Sequence, residues 1–384
     1  MAARLGFAPN MTLPAAHVFG MEFAFNSLGM FRGVVVYFFW RVFMKKNLIA
    51  LAVLAASGVA SAQSSVTLYG IADVWFGSAK SGDLRQTKID SGGVDESRFG
   101  LKGSEDLGGG LKANFVLEQG FSIDTGAAGT TNNFFGAAGS TASTAIFSRY
   151  AYVGLSGGFG EAKIGKTGTA YDDISGATRP AFNSALSPDS NVWVSTSYQW
   201  NPSNSVYYVT PNLSGFSGAA SYSLGENKTA TASAGNVSSF NVKYEGGPVY
   251  AGLAYQTEKA DGSATATKFT RLNGSYDLGV AKLLAGYGRV ADFGTVGSKT
   301  SEYEIGADFP VSSALTISGG YAHSKTSDIV GVNDTKRNGY SLAATYSLSK
   351  RTYLYGGVQV SKQTQDGAPD VKADLYAVGI HHAF

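Results

Sequence analysis

From residue 63 onward, apolar and polar side chains alternate one for one in run after run, and this alternation limits the possible folds more than any other feature. In SVTLYGIADVWF, Val66, Leu68, Ala72, Val74 and Phe76 share one parity. In LKANFVLEQGF, Leu111, Ala113, Phe115, Leu117 and Phe121 oppose Lys112, Asn114 and Glu118. EYEIGADF sets Tyr303, Ile305, Ala307 and Phe309 against Glu302, Glu304 and Asp308. A period of two puts successive side chains on opposite faces of a strand, so each segment has one apolar and one polar face. Sixteen such segments begin near Val66, Val94, Leu111, Ser148, Glu161, Ser203, Phe216, Val237, Val249, Lys268, Val280, Thr300, Ala314, Arg337, Arg351 and Lys372. Two of them are imperfect. Arg149 shares parity with Val153 and Leu155, and both faces of VAKLLAGYGRV are mixed, which a bulge or a packed inner wall would explain.

The connections alternate in length. SEDLGGG, SGGFG, PNLSG, EGGP, DLG, FPVSS and SLSK are short. Between them lie longer polar stretches at 78–93, 123–147, 167–202, 226–236, 259–266, 292–299, 326–336 and 363–371. One rim of tight turns and one of variable loops is the pattern of an up-and-down transmembrane barrel, whose apolar faces look outward. A soluble sandwich, with those faces turned into a dry core, is the alternative. No run of 18 apolar residues follows Ala62, so spanning helices are not expected.

Composition agrees with a membrane barrel. Charged residues make up 15% of the chain, the net charge is +2, and cysteine is absent. A polyanion such as nucleic acid is therefore not an expected partner, and neither a disulfide framework nor a thiolate metal site can form. Adjacent strand residues face opposite ways, so His381 and His382 cannot chelate one metal together. No nucleophile–base motif stands out, and no enzyme activity or cofactor is expected.

An export label precedes the barrel. Lys45 and Lys46 lead into the apolar run Leu48 to Ala56, Ser57-Gly58 breaks it, and Ala60-Ser61-Ala62 offers small residues for cleavage. Residues 44–62 read as a signal peptide cut after Ala62, residues 63–384 as the barrel, and residues 1–43 as an extension upstream of the true start at Met44. A genuine anchor in residues 1–43 is the rival reading. Cleavage would leave 25 basic and 27 acidic residues.

Several long motifs carry a family resemblance: SSVTLYGIAD, SRFGLKGSEDLGGGLKANFVLE, SRYAYVGLSGGFGEAKIGK, YVTPNLSGFSGAASYSLGE and the closing GIHHAF. They resemble the general porins of Gram-negative bacteria, in particular the β-proteobacterial type of Burkholderia and Neisseria. The resemblance implies an all-β, 16-stranded antiparallel barrel in the outer membrane. It implies a homotrimer in contact with membrane lipid and lipopolysaccharide, passing small hydrophilic solutes. It further implies that Tyr376, Val378, Ile380 and the terminal Phe384 are read by the barrel-assembly machinery. A non-conducting adhesin or structural barrel shares the same strand pattern and stays open as an alternative.

In such porins the third long loop folds inward and narrows the lumen; here it would run from Gly168 to about Gln199. Arg98 and Arg149 match positions of the family's basic ladder. Lys166 stands where arginine is common, and Gln199-Trp200-Asn201 occupy a stretch that often carries a further base. Asp172 and Asp173 follow Tyr171 as acids of the loop. The acid often found deeper is missing from the expected place, which Arg179 occupies. The resulting expectation is a weakened cation preference, tending to slight anion preference.

Overall fold

The computed structural model describes residues 65–131, 143–327 and 329–384; the export label and the upstream extension lie outside them. Sixteen strands form one antiparallel sheet. They are β1 (Ser65–Ser81), β2 in two pieces (Leu84–Ser91 and Arg98–Gly108), β3 (Leu111–Gly120), β4 (Tyr150–Gly157), β5 (Gly160–Lys166), β6 (Ser205–Val209), β7 (Phe216–Leu224) and β8 (Asn236–Gly246). There follow β9 (Val249–Lys259), β10 (Thr267–Asp277), β11 (Lys282–Ala291), β12 (Lys299–Pro310), β13 (Leu315–Ser327), β14 (Thr335–Ser347), β15 (Thr352–Gln365) and β16 (Val371–Ala383). Every strand pairs with its sequence neighbours, and β16 pairs back onto β1 from Ile71↔Ala383 to Ser81↔Ala373. The sheet is thereby a closed barrel with no free edge, as a bilayer without water to satisfy backbone groups demands.

The terminus completes the closure. The Gly70 amide donates to the Phe384 carbonyl (3.1 Å), and the Phe384 amide donates to the Gly70 carbonyl (3.0 Å). On β16 the side chains of Tyr376, Val378 and Ile380 are exposed on one face, and Phe384 is exposed beyond the strand's end.

Apart from β2, every strand starts within two residues of the position read from the alternation. Residues 78–93, expected as a long loop, are not one. β1 continues to Ser81, the chain turns at Gly82-Asp83, and Leu84–Ser91 returns along β1 with Leu84 opposite Ser81 and Ser91 opposite Val74. Gly82 has φ +59°, as the first central residue of a two-residue hairpin turn requires. The strand was hidden because most of LRQTKIDS is exposed and nearly all polar, so it carries no apolar parity. The lower piece of β2 then pairs with the lower half of β1, from Ser65↔Ser104 to Ile71↔Arg98. Residues 92–97 between the pieces leave the ladder as an excursion.

The two faces differ as the alternation requires. On β7, Phe216, Tyr222 and Leu224 are exposed while Ser221 and Ser223 are buried. Burial on the polar face comes from the segment between β5 and β6, which crosses it. Ala170, Tyr171, Ile174, Ala181, Leu186, Val192 and Trp193 of that segment are all buried. Tyr171 and Ile174 pack with Ala254, Phe269 and Val290 from β9, β10 and β11, and Ala181 and Leu186 with Trp75, Ala343, Tyr355 and Ala377. This accounts for part of the mixed strand VAKLLAGYGRV: Val290 is apolar on the covered face because Tyr171, Ile174 and Phe269 pack with it there.

Candidate functional site

Three elements bring charges together at one level of the barrel. The first is the excursion of β2. Asp73 on β1 is fully buried, and its carboxylate accepts hydrogen bonds from the backbone amides of Gly93 (2.8 Å), Val94 (3.3 Å) and Asp95 (3.1 Å) and from the Tyr355 hydroxyl (2.6 Å). Successive amides converging on one carboxylate form a nest that fixes the loop. Ser97 adds a reciprocal pair with the Asp73 backbone, both at 3.0 Å. The excursion thus has a set shape and presents Asp95 and Glu96, with Arg98 next in line at the start of the lower piece of β2.

The second element is the top of β3 and the start of β4. Arg149 breaks the parity of its run because β4 begins only at Tyr150. Its backbone amide donates to the Glu118 carbonyl (3.1 Å), and its side chain turns to the polar face. Nε donates to Glu118 Oε1 at 2.6 Å, and a terminal nitrogen bonds the Glu96 carboxylate. The guanidinium lies 4.8 Å from the Trp200 ring centroid, within cation–π range. Arg98 also faces Glu118, Nε to Oε2 at 3.8 Å, and reaches Asp95 at 3.3 Å. Glu118 is almost wholly enclosed and accepts the Tyr69 hydroxyl as well (2.9 Å). Arg98 and Arg149 are therefore brought together on one shared carboxylate. Lys166 stands aside from them; its Nζ donates to the Asn201 carbonyl (2.7 Å), while Asn201 Nδ2 donates to the Arg149 carbonyl (2.8 Å).

The third element is the segment across the polar face. Asp172 and Asp173 open a single helical turn, α1 (Asp172–Ser175). Asp173 is held to the wall by the Tyr207 hydroxyl (2.7 Å) and Asn241 Nδ2 (2.9 Å). Asp172 accepts the Tyr198 hydroxyl, whose oxygen also lies 2.5 Å from Ser175 Oγ. Burial pushes the Asp172 carboxyl up to about 6, against the pull of the Tyr198 hydrogen bond.

Further along, Arg179 makes a two-pronged pair with the fully buried Asp189, both contacts at 2.7 Å. It is thus committed within the segment, to an acid that the sequence analysis did not single out. Opposite the turn Val194–Ser197, Arg271 of β10 lies 4.7 Å from the Trp193 ring centroid and donates to Ser195 Oγ (3.0 Å) and the Ser175 carbonyl. Glu302 of β12 receives the Val194 and Ser195 amides. These anchors were also missed. The available signal was a full charge in mid-strand on polar parity, where a membrane barrel has a reason to place one.

The arrangement can hold charges of both signs across a passage.

Residues 49–366 match the family model described as Gram-negative porin. The chain is 35% identical over 378 residues to outer membrane porin protein 32 of Delftia acidovorans, covering 89% of this chain and all of that one. Among solved structures it resembles the anion-selective porin from Comamonas acidovorans, with TM-score 0.67 and 28% identity over 84% of this chain and all of that one. It also shares its fold with OmpT of Vibrio cholerae in a trimer form, with TM-score 0.61 and 16% identity over 84% of this chain and 99% of that one.

Proposed function

This chain belongs to the Gram-negative porin family, and on that premise we propose that solutes crossing it are sorted between residues 168–199 and the Arg98–Arg149–Glu118 cluster. The chain is an outer-membrane diffusion channel and not an enzyme. The observation that carries the narrower reading is the row of hydrogen bonds between that segment and polar-face residues of successive strands. They include Ala170 to Ser221 (3.2 Å), Tyr171 to Ser239 (2.7 Å), Ala181 to Ser318 (2.7 Å) and Gln359 to Ser190 (2.9 Å). A segment so tied narrows the lumen instead of standing above it. Charged rims act strongly there because little water remains to screen them. Small hydrophilic solutes pass and bulky ones do not. Purified protein in a planar bilayer should give stepwise conductance. Silence in that recording would favour the adhesin reading.

The working unit in this proposal is a homotrimer. β4, β5 and β6 have only 8, 7 and 5 residues, whereas a lipid-facing strand needs about 9–11. Their outward side chains Val153, Leu155, Ile164, Val206 and Tyr208 are exposed in the single chain. A second copy covers this low wall, and lipid and lipopolysaccharide cover the taller remainder. Residues 44–62 act as the removed signal peptide, and the outward Tyr376, Val378, Ile380 and Phe384 as the mark read by the assembly machinery.

A further inference from the structure

Arg149 serves two carboxylates of different character. Glu118 is enclosed, with 5% of its side chain exposed, and is fixed by Arg98, Arg149 and Tyr69. Glu96 has 65% of its side chain exposed and rides on the excursion rather than on a strand. Asp95 and Glu96 reach their positions only because the Asp73 nest holds residues 93–95 against the wall. Two guanidinium groups therefore meet three carboxylates, Asp95, Glu96 and Glu118. The cavity beside them, about 460 Å³, is lined by Glu96, Arg149, Ser122, Thr130, Trp200 and Asn201 among others.

We infer that Glu96 is a displaceable built-in counter-ion that sets the ion selectivity of the channel. Resting on Arg149, it cancels the charge that would otherwise draw anions into the cavity. This deepens the channel reading above and rests on it. A bound arginine–carboxylate pair in water is loose and screened by salt, so permeating anions compete with Glu96 for the free side of the guanidinium. Glu118 cannot yield in this way.

The test is the zero-current potential across a salt gradient for the wild type and for Glu96→Gln, which keeps the size and removes the charge. One unit charge about 5 Å from the ion path, in water-like surroundings screened by ~0.1 M salt, acts oppositely on the two ions and so alters the anion-to-cation permeability ratio roughly fivefold. The variant should shift by about that factor towards anions at ~0.1 M salt, with the shift shrinking at ~1 M as the screening length falls to about 3 Å. Conductance near that of the wild type with an unmoved potential would overturn the inference alone. A silent wild type would overturn the channel reading, and the inference with it.

Discussion

At the level of single residues, the ionic character of this channel depends on which charges are already spoken for. Arg149 is bound to Glu118 and Glu96 and braced by Trp200. Arg149→Gln should move the zero-current potential towards cations by more than Lys166→Gln does, because its loss leaves Glu96 and Glu118 without that partner beside the cavity, which Arg149 lines and Lys166 does not. Asp172 adds a dependence on pH. Its folded value, about 6, lies above the ordinary carboxylate value because burial disfavours the charge. A raised carboxyl is neutral below about 6 and charged above it, so the passage loses one negative charge as pH falls from 7 to 5. Anion preference should rise over that window, and Asp172→Asn should flatten the titration. The same sign governs stability: protonation of Asp172 favours the folded barrel, an advantage complete below the ordinary carboxylate value and lost as pH rises through about 6. Arg98, Arg149 and the two aspartates were legible as candidates from their motifs. Glu96, Glu118 and Asp189 were not, because their roles come from spatial neighbours that parity alone does not supply.

At the level of elements, the crossing segment and the wall are fitted through glycine. A side-chain carbon built on Gly339 of β14 would fall 2.0 Å from the Pro188 carbonyl oxygen, a backbone atom that cannot swing aside. Gly339→Ala should therefore lift the segment locally while the barrel itself still forms. Single-channel conductance should increase, and limited proteolysis should cut near Pro188 where the wild type resists. Conductance equal to the wild type would show that the segment absorbs the clash. Strands with one apolar face could be read from sequence almost residue by residue. Leu84–Ser91 could not, since it projects among exposed polar residues where nothing selects a face. The crossing segment was placed by family resemblance, not by periodicity; its short helical and 3-10 turns leave no repeating signal.

At the level of the whole molecule, the seam between β1 and β16 decides whether the barrel is continuous. Phe384 contributes both a backbone donor and a backbone acceptor to Gly70 there. Deleting Phe384 should leave the purified barrel less resistant to heat in SDS, seen as an earlier shift from compact to extended mobility on gels. It should also lower the amount reaching the outer membrane.

That seam also sets a timetable. Ile71 meets Ala383, so the first stretch made must wait for the last, and intermediate lengths of chain expose an unpaired margin ready to join a stranger. Pairings so distant in sequence form slowly and leave partial products prone to clump. The closed form is accordingly reached only once the final strand has found the first, and every shorter length of chain keeps a raw border.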